Sequence, residues 1–181
     1  MIKRGLLGLL ALLLLLAVVL VVNTLRQGSR QVTPPALQPM VVDKASVAES
    51  LAIAVRAKTV SGLLDPTGTA AEFAALHAHL RARYPLVHAT LEREVIAEHS
   101  LLYTWKGSDS QAKPIALLAH QDVVPVAPGT ETLWKKPPFA GLIEDGIVWG
   151  RGTLDNKSNL VTQLEAVEAL IKAGFKPRRT V

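Results

Sequence analysis

An uninterrupted apolar run near the amino terminus constrains this chain more than any other feature. Residues 5–22 read GLLGLLALLLLLAVVLVV, without a charged side chain. A helix rises about 1.5 Å per residue, so the run spans roughly 27 Å, close to the hydrocarbon thickness of a bilayer. Because the run has no polar face, it does not fit a surface helix of a soluble domain. The sequence therefore predicts a cytoplasmic tip and a transmembrane anchor within residues 1–25.

A cleaved secretory signal is the alternative for this run, since Lys3 and Arg4 form a basic start. The apolar stretch is longer than the usual core of about 7–15 residues, and no A-x-A-like cleavage site follows it. These features favour an uncleaved anchor. Lys3 and Arg4 precede the apolar run, and Arg26 and Arg30 follow it. Compared under the positive-inside bias, these basic residues and the amino terminus favour a cytoplasmic amino terminus. The chain is thus expected to be a single-pass membrane protein with its body on the extracytoplasmic side.

Charge and cysteine content narrow the possible functions of the body. The formal net charge of +5 is concentrated in residues 1–30, which contain four basic residues and no acidic one. The remainder is nearly neutral and has no basic stripe, which argues against nucleic-acid binding. The chain has no cysteine, so it forms no disulfide, and any metal ion must be held by His, Asp or Glu.

Beyond the anchor, the sequence predicts a linker over residues 26–44 and an α/β domain over residues 45–181. The polar, proline-containing stretch before residue 40 is typical of a linker. Apolar periodicity predicts helices at 46–58, with Ser46 as N-cap, at 69–84 and at 155–173. The last helix is predicted to end at Gly174 and to carry an apolar stripe of Leu160, Leu164, Val167 and Ile171. It predicts strands at 87–97, 101–105 and 115–120, a turn at 65–68 and a hairpin at 141–149. Helices that alternate with apolar strands indicate the α/β class.

The end of the predicted strand at 115–120 carries a pair of residues that can do chemistry. Residues i and i+2 of an extended chain face the same side, so His120 and Asp122 share one site. Open α/β sheets place their sites at this edge. A carboxylate behind a metal-binding histidine fixes its tautomer. The simpler alternative is an ordinary turn with a hydrogen-bonded Asp122.

A second candidate lies in GRGTLDNKSNL, residues 150–160, where Asp155 starts the next predicted helix. Asp155 is either a helix N-cap or a metal ligand beside His120. A carboxylate can bridge two divalent ions about 3.5–4 Å apart, as two-metal hydrolases require. Arg151 and Lys157 are interpreted as surface or structural charges.

These motifs are similar to a known family. HQDVVPV at 120–126 and WKKPPFAGLIEDGIVWGRGTLDNKSN at 134–159 resemble the carboxypeptidase S and aminoacylase family of dinuclear zinc metallopeptidases. The N-fatty-acyl-amino-acid hydrolase-like branch is the most similar. The match runs in order over residues 46–181 and includes the KTVSG stretch at 58–62. A series of matching motifs in the same order is far more specific than one short motif.

The resemblance implies a role for each matched site residue. His120 would ligate one zinc ion, Asp155 would bridge two, and Asp122 would be the active-site carboxylate behind His120. The implied fold is the N-terminal part of a zinc-peptidase-like α/β catalytic domain. The implied reaction is hydrolysis of an amide next to a free carboxylate, in peptides or N-acyl amino acids. Cobalt or manganese would also suit these donors, and the full-length protein is expected to form a homodimer.

The same resemblance requires residues that this sequence does not supply. The family needs a Glu-Glu pair as general base and ligand, another acidic ligand and a distant His. None of the remaining candidates replaces them. His77 and His79 lie on different sides of one predicted helix, His88 and His99 lie in strand-like segments, and Glu144 and Asp145 lie in a turn. The chain is therefore expected to be a truncated copy with doubtful activity of its own. The alternative is a membrane-tethered, non-catalytic interaction module, and a periplasmic transport or binding protein ranks below both.

Overall fold

The computed structural model describes residues 2–34, 40–61 and 69–181. Two compact units are present, Met1–Met40 and Val41–Val181. The predicted turn at 65–68 and residues 35–39 of the predicted linker lie outside the described residues.

The first unit contains one long helix, α1 (Ile2–Arg26). Its leucine and valine side chains are exposed along its length. The helix is long and apolar enough to cross a membrane, and a signal sequence would satisfy the same test. The anchor and its orientation therefore stay predictions.

The body begins with α2 (Lys44–Arg56), followed by α3 (Ala70–Arg83). The predicted N-cap of α2 is wrong, because the helix starts two residues before Ser46. The Asp43 carboxylate accepts hydrogen bonds from the backbone N–H groups of Ala45 and Ser46, both at 3.1 Å. It thereby satisfies two donors that lack a partner within the helix.

A third helix of the body, α4 (Pro85–Thr90), replaces the first part of the strand predicted at 87–97. Pro85 suits the first turn of a helix, because its φ is preset and its missing N–H needs no partner. The carboxylate of Glu168 accepts hydrogen bonds from the N–H groups of Leu86 and Val87 at 3.0 and 2.8 Å. Sequence periodicity does not reveal this distant cap.

Two antiparallel hairpins supply the strands. Strand β1 (Glu92–Ile96) pairs with β2 (Ser100–Thr104), from Glu92↔Thr104 to Ile96↔Ser100. Strand β3 (Leu142–Glu144) pairs with β4 (Ile147–Trp149). The second hairpin is confirmed as predicted. Asp145 and Gly146 both have positive φ, 52° and 75°, as a tight turn between twisted strands requires.

The segment at 115–120 is not a strand in this structure, contrary to prediction. Leu117 and Leu118 are 53% and 80% exposed. Within the described residues, backbone partners reach only the start of this segment: Ile115 N–H donates to the Thr180 carbonyl at 3.0 Å. An apolar run predicts burial, but a strand also needs neighbours along its whole length. The predicted central strand therefore lies extended and open.

The last helix, α5 (Ser158–Lys172), begins after a wide turn, Thr153–Lys157. Gly174 ends it as predicted, with φ 76° and its N–H 2.8 Å from the Ile171 carbonyl. The predicted apolar stripe of α5 packs on the core. That core joins α2, α3, α4 and α5 through eight buried residues: Ala54, Ala57, Leu76, Leu80, Tyr84, Val87, Val161 and Leu164.

Candidate metal centre

The segment that carries His120 is held by the residues that follow α2. The Val123 N–H donates to the Thr59 carbonyl at 2.9 Å, and the Ser61 N–H donates to the Val123 carbonyl at 3.1 Å. The Thr59 hydroxyl also donates to the Gln121 carbonyl at 2.7 Å. This short parallel pairing fixes the backbone on both sides of Asp122.

Successive side chains of this extended segment point to opposite sides, so Gln121 faces away from His120 and Asp122. Its side-chain oxygen lies 2.7 Å from His77 Nε2, and its amide nitrogen donates to the His99 carbonyl at 2.9 Å. The His99 ring stacks on Phe73, with centroids 4.7 Å apart. His77 and His99 therefore hold this segment from behind, on the side away from His120.

The Asp122 side chain lies beside the Nδ1 atom of His120. The Nδ1 atom of His120 is 2.9 Å from the backbone carbonyl of Asp122 and 3.1 Å from its Oδ1. The Ser61 hydroxyl donates a hydrogen bond to the other carboxylate oxygen. These contacts set the ring orientation and leave Nε2 facing outward.

Asp155 reaches His120 from the turn before α5. Its Oδ1 lies 2.9 Å from His120 Nε2. The N-cap alternative does not hold, because α5 begins three residues later, at Ser158, and within the described residues its start has no side-chain capping hydrogen bond. The Asp155 carboxylate is the main cause of a raised pKa of His120, which burial partly opposes. The protonated ring can donate to both flanking carboxylates.

Lys157 is structural, but it is not a surface charge. It is fully buried, and its Nζ donates to the carbonyls of Ala54 and Ala57 at 2.8 and 2.7 Å. Burial lowers the pKa of Lys157 to about 8, against the opposing negative charges of Glu72 and Asp122. The sequence left the surface and structural alternatives open, because a lysine after a turn carries no local signal of burial.

A cavity of about 400 Å³ opens beside His120 and Asp122. Its walls combine the site with apolar and aromatic side chains from α3 and the start of β2. The lining includes Thr69, Phe73, His99, Ser100 and Leu101. The site thus has room next to it for part of an organic substrate.

The donor set fits part of a zinc site. His120 Nε2 and Asp155 Oδ1 converge, with their side chains 49% and 85% exposed, and imidazole with carboxylate suits zinc. Within residues 2–34, 40–61 and 69–181, no group of three or more His, Cys, Asp or Glu side chains could hold an ion. His79 bonds to Ser50 and His88 to Tyr103, both at 3.0 Å, away from this pair.

Comparison with known proteins agrees with the motif resemblance. Residues 116–181 match the family described as Peptidase family M20/M25/M40. Probable carboxypeptidase S-like 2 of Dictyostelium discoideum is 40% identical over 172 residues, which are 91% of this chain and 33% of that protein. Carboxypeptidase S of Saccharomyces cerevisiae is 42% identical over 149 residues, 81% of this chain and 26% of that protein. A human N-fatty-acyl-amino acid synthase/hydrolase is 39% identical over 140 residues, 76% of this chain and 27% of that protein.

The fold gives a matching result. An M20 family metallo-carboxypeptidase from Sulfolobus solfataricus superposes with a TM-score of 0.53 at 23% sequence identity, covering 71% of this chain and 28% of that one. The chain spans about a third, or less, of the length of these relatives. The predicted family resemblance is confirmed: residues 116–181 belong to the M20 peptidase family, and this region carries His120, Asp122 and Asp155.

Proposed function

We propose that this chain supplies one half of the metal site of a zinc-dependent hydrolase that cleaves an amide next to a free carboxylate. The observation that carries the proposal is the convergence of Asp155 and Asp122 on the two ring nitrogens of His120. This convergence occurs within the region that matches the M20 peptidases. A hydrogen-bonded carboxylate behind a histidine is the arrangement that metal sites use.

Each residue has a distinct task in this proposal. His120 offers Nε2 as a ligand, and Asp122 holds the ring through Nδ1 and keeps that nitrogen protonated. Asp155 is largely exposed, so its second carboxylate oxygen is accessible to another ion. When bound, zinc supplies the Lewis acidity that polarises a carbonyl group. Cobalt or manganese would also suit these donors.

The substrate class follows from the relatives and remains part of the proposal. Similar proteins are named carboxypeptidase S and N-fatty-acyl-amino acid synthase/hydrolase. Both names point to an amide bond beside an amino-acid carboxylate. A small peptide or an N-acyl amino acid is therefore the proposed substrate, with the cavity beside His120 receiving part of it.

The amino-terminal helix suggests where this reaction takes place. We infer that α1 anchors the protein in the membrane, with the body on the extracytoplasmic side. Its length and apolar character support this placement. Association as a homodimer is part of the same proposal.

The first test is zinc binding by the full 181-residue chain in detergent micelles, measured by calorimetry. We expect saturable binding that is lost in His120→Ala and strongly weakened in Asp155→Ala. Asp145→Asn is the control, since Asp145 lies in the β3–β4 turn and Asn tolerates its positive φ. A folded chain that binds no zinc would contradict the half-site.

The second test is hydrolysis of an N-acyl amino acid and of a dipeptide with a free carboxyl terminus. Metal-dependent release of the amine that disappears in His120→Ala would establish the activity in this chain. Zinc binding without turnover would mean that the half-site needs further ligands and a general base. Loss of the base alone would lower the rate by about 10²–10⁴-fold.

A membrane-tethered, non-catalytic interaction module is the second candidate. It is favoured by the lack, within the described parts of the chain, of a third ligand near His120 and Asp155. A stable, metal-free, monomeric chain with neither zinc binding nor hydrolysis would support it.

A further inference from the structure

The carboxyl end of α2 has carbonyl groups that lack a hydrogen-bond partner within the helix. Helices leave their last four carbonyls without an N–H from a following turn. The Lys58 N–H, which would otherwise bond to the Ala54 carbonyl, donates instead to the carboxylate of Glu72 at 2.9 Å. The Lys157 ammonium takes its place on Ala54 and also bonds to Ala57. A cation at this end of a helix is favoured by the helix dipole.

The chain just beyond these carbonyls also holds the His120 segment. Thr59 and Ser61 make backbone hydrogen bonds to Val123, on one side of Asp122, and the Thr59 hydroxyl donates to the Gln121 carbonyl on the other side. The Ser61 hydroxyl donates directly to the Asp122 carboxylate. Residues 54–61 therefore contact the His120 segment directly and the Asp155 turn through the side chain of Lys157.

The turn that carries Asp155 has little regular structure of its own. Asp155 and Asn156 have non-helical backbone angles, and α5 has no side-chain cap at its start. The Lys157 N–H closes the turn on the Gly152 carbonyl at 2.9 Å. The Lys157 side chain is thus a second link from this turn, and it leads to α2.

We propose that Lys157 is a positioning residue, whose buried ammonium ties the Asp155 turn to the same α2 segment that holds His120. Only one consequence of this inference, the effect on metal affinity, rests on the proposed function. The mechanical claim concerns the distance between Asp155 and His120 in the metal-free chain. A lysine that served only as a helix cap would stabilise the fold without affecting that distance.

The absence of cysteine from the sequence allows a matched chemical test. Lys157→Cys introduces a single thiol, which is alkylated in denaturant before the full chain is refolded in detergent micelles. With 2-bromoethylamine the product regains an ammonium at nearly the length of lysine. With 1-bromopropane it has the same shape without the charge or the N–H donors. Both products share the same refolding history.

The primary measurement is the ¹⁵N resonance of His120 Nε2 in the metal-free chain at one fixed pH. We expect the aminoethylated product to match the wild type. The propylated product should shift towards the resonance of Asp155→Ala, because the hydrogen bond from His120 is lost. Its zinc affinity should fall about 10–100-fold, the usual effect of losing a group that orients a ligand.

Tyr84→Phe controls for a general loss of stability. The Tyr84 hydroxyl bonds to Ser50 at 3.0 Å in the core, away from the Asp155 turn. This variant should lower the free energy of unfolding and leave the His120 resonance unchanged. If it moves that resonance as far as the propylated product of Lys157→Cys does, the effect reflects stability and the proposal is overturned. The proposal is also overturned if the propylated chain keeps the wild-type resonance.

Lys157→Met, produced without refolding, provides the same comparison if the propylated chain does not fold. The measurements separate this inference from the proposed function. A wild-type chain that binds no zinc contradicts the half-site, whereas the metal-free resonance of His120 still decides the role of Lys157. If the wild type binds zinc and the propylated product keeps the wild-type His120 resonance, only the role of Lys157 is overturned.

Discussion

The Nε2 atom of His120 lies 2.9 Å from Oδ1 of Asp155, although 35 positions separate the two residues. Part of the reason is close packing beside them. Gly152 lies against Val123, and a Cβ on this glycine would overlap the valine side chain. The turn that carries Asp155 can therefore approach the His120 segment only with glycine at position 152.

Gly152→Ala should destabilise the body and separate the two parts of the site. Gly152 has φ 82°, and alanine pays roughly 1–2 kcal/mol in this region. Overlap with buried Val123 adds about 1–3 kcal/mol. We expect the free energy of unfolding, measured by urea and tryptophan fluorescence, to fall by roughly 2–5 kcal/mol.

Gly129→Ala is the matched control for this variant. Its φ is 81°, and an added Cβ at this position meets no atom within 4 Å. It should lower the free energy of unfolding by only about 1–2 kcal/mol, from the backbone alone. Equal losses for the two variants would contradict the packing role of Gly152.

Asp122→Asn should weaken zinc binding without unfolding the chain. The amide oxygen can still accept from His120 Nδ1, but the negative charge that favours the protonated nitrogen is gone. Changes behind a metal-binding histidine typically lower affinity by about 10–100-fold. Calorimetric titration of the wild type, this variant and Asp145→Asn checks the prediction. An unchanged dissociation constant in Asp122→Asn would argue against its positioning task.

Glu168→Ala should destabilise α4. Its carboxylate accepts from Leu86 and Val87, and Val87 is fully buried. Losing a partner for a buried N–H typically lowers stability by about 1–3 kcal/mol. Glu49→Ala is the control, because the exposed pair of Glu49 with Arg56 is worth at most about 1 kcal/mol. Urea unfolding should rank the two variants in that order, and the reverse order would contradict the cap.

His79 should make the body less stable in mild acid. Burial lowers the pKa of His79 below its ordinary value of 6.5, with an opposing contribution from the Ser50 hydrogen bond. As pH falls below 6.5, the unfolded chain takes up a proton at this position before the folded chain does, so stability decreases. Well above pH 6.5 both states are neutral, and the contribution of His79 is constant.

The measurement is the difference in unfolding free energy between the wild type and His79→Gln as a function of pH. This difference removes the opposite contribution of His120, whose pKa is raised in the folded state. It should change as pH falls through 6.5 and be flat well above that value. A difference that is flat across the acidic range would show that burial of His79 does not shift its titration.

Local patterns in the sequence were sufficient for much of the secondary structure. The apolar period of α5, Gly174 after it and Asp145-Gly146 between β3 and β4 each depend on residues within one or two turns. The extended pair His120 and Asp122 was likewise predictable, because alternation puts both on one side. These relationships involve neighbours along the chain.

Distant contacts explain the predictions that were wrong. Residues 87–90 are β-prone in isolation, yet Pro85 and the Glu168 carboxylate make them helical. Residues 115–120 are apolar enough for a central strand, but the described chain pairs only their start. Neither outcome depends on the residue types within the segment alone.

By itself, the sequence determined the family, the apolar helix at the amino terminus and the identity of the three candidate site residues. Only the tertiary structure decided that Asp155 meets His120, that Gln121 is held from behind by His77, and that Lys157 is buried on the end of α2. The physical reason is that periodicity and capping act over a few residues. Burial and long-range hydrogen bonds depend on which segments the folded chain brings together.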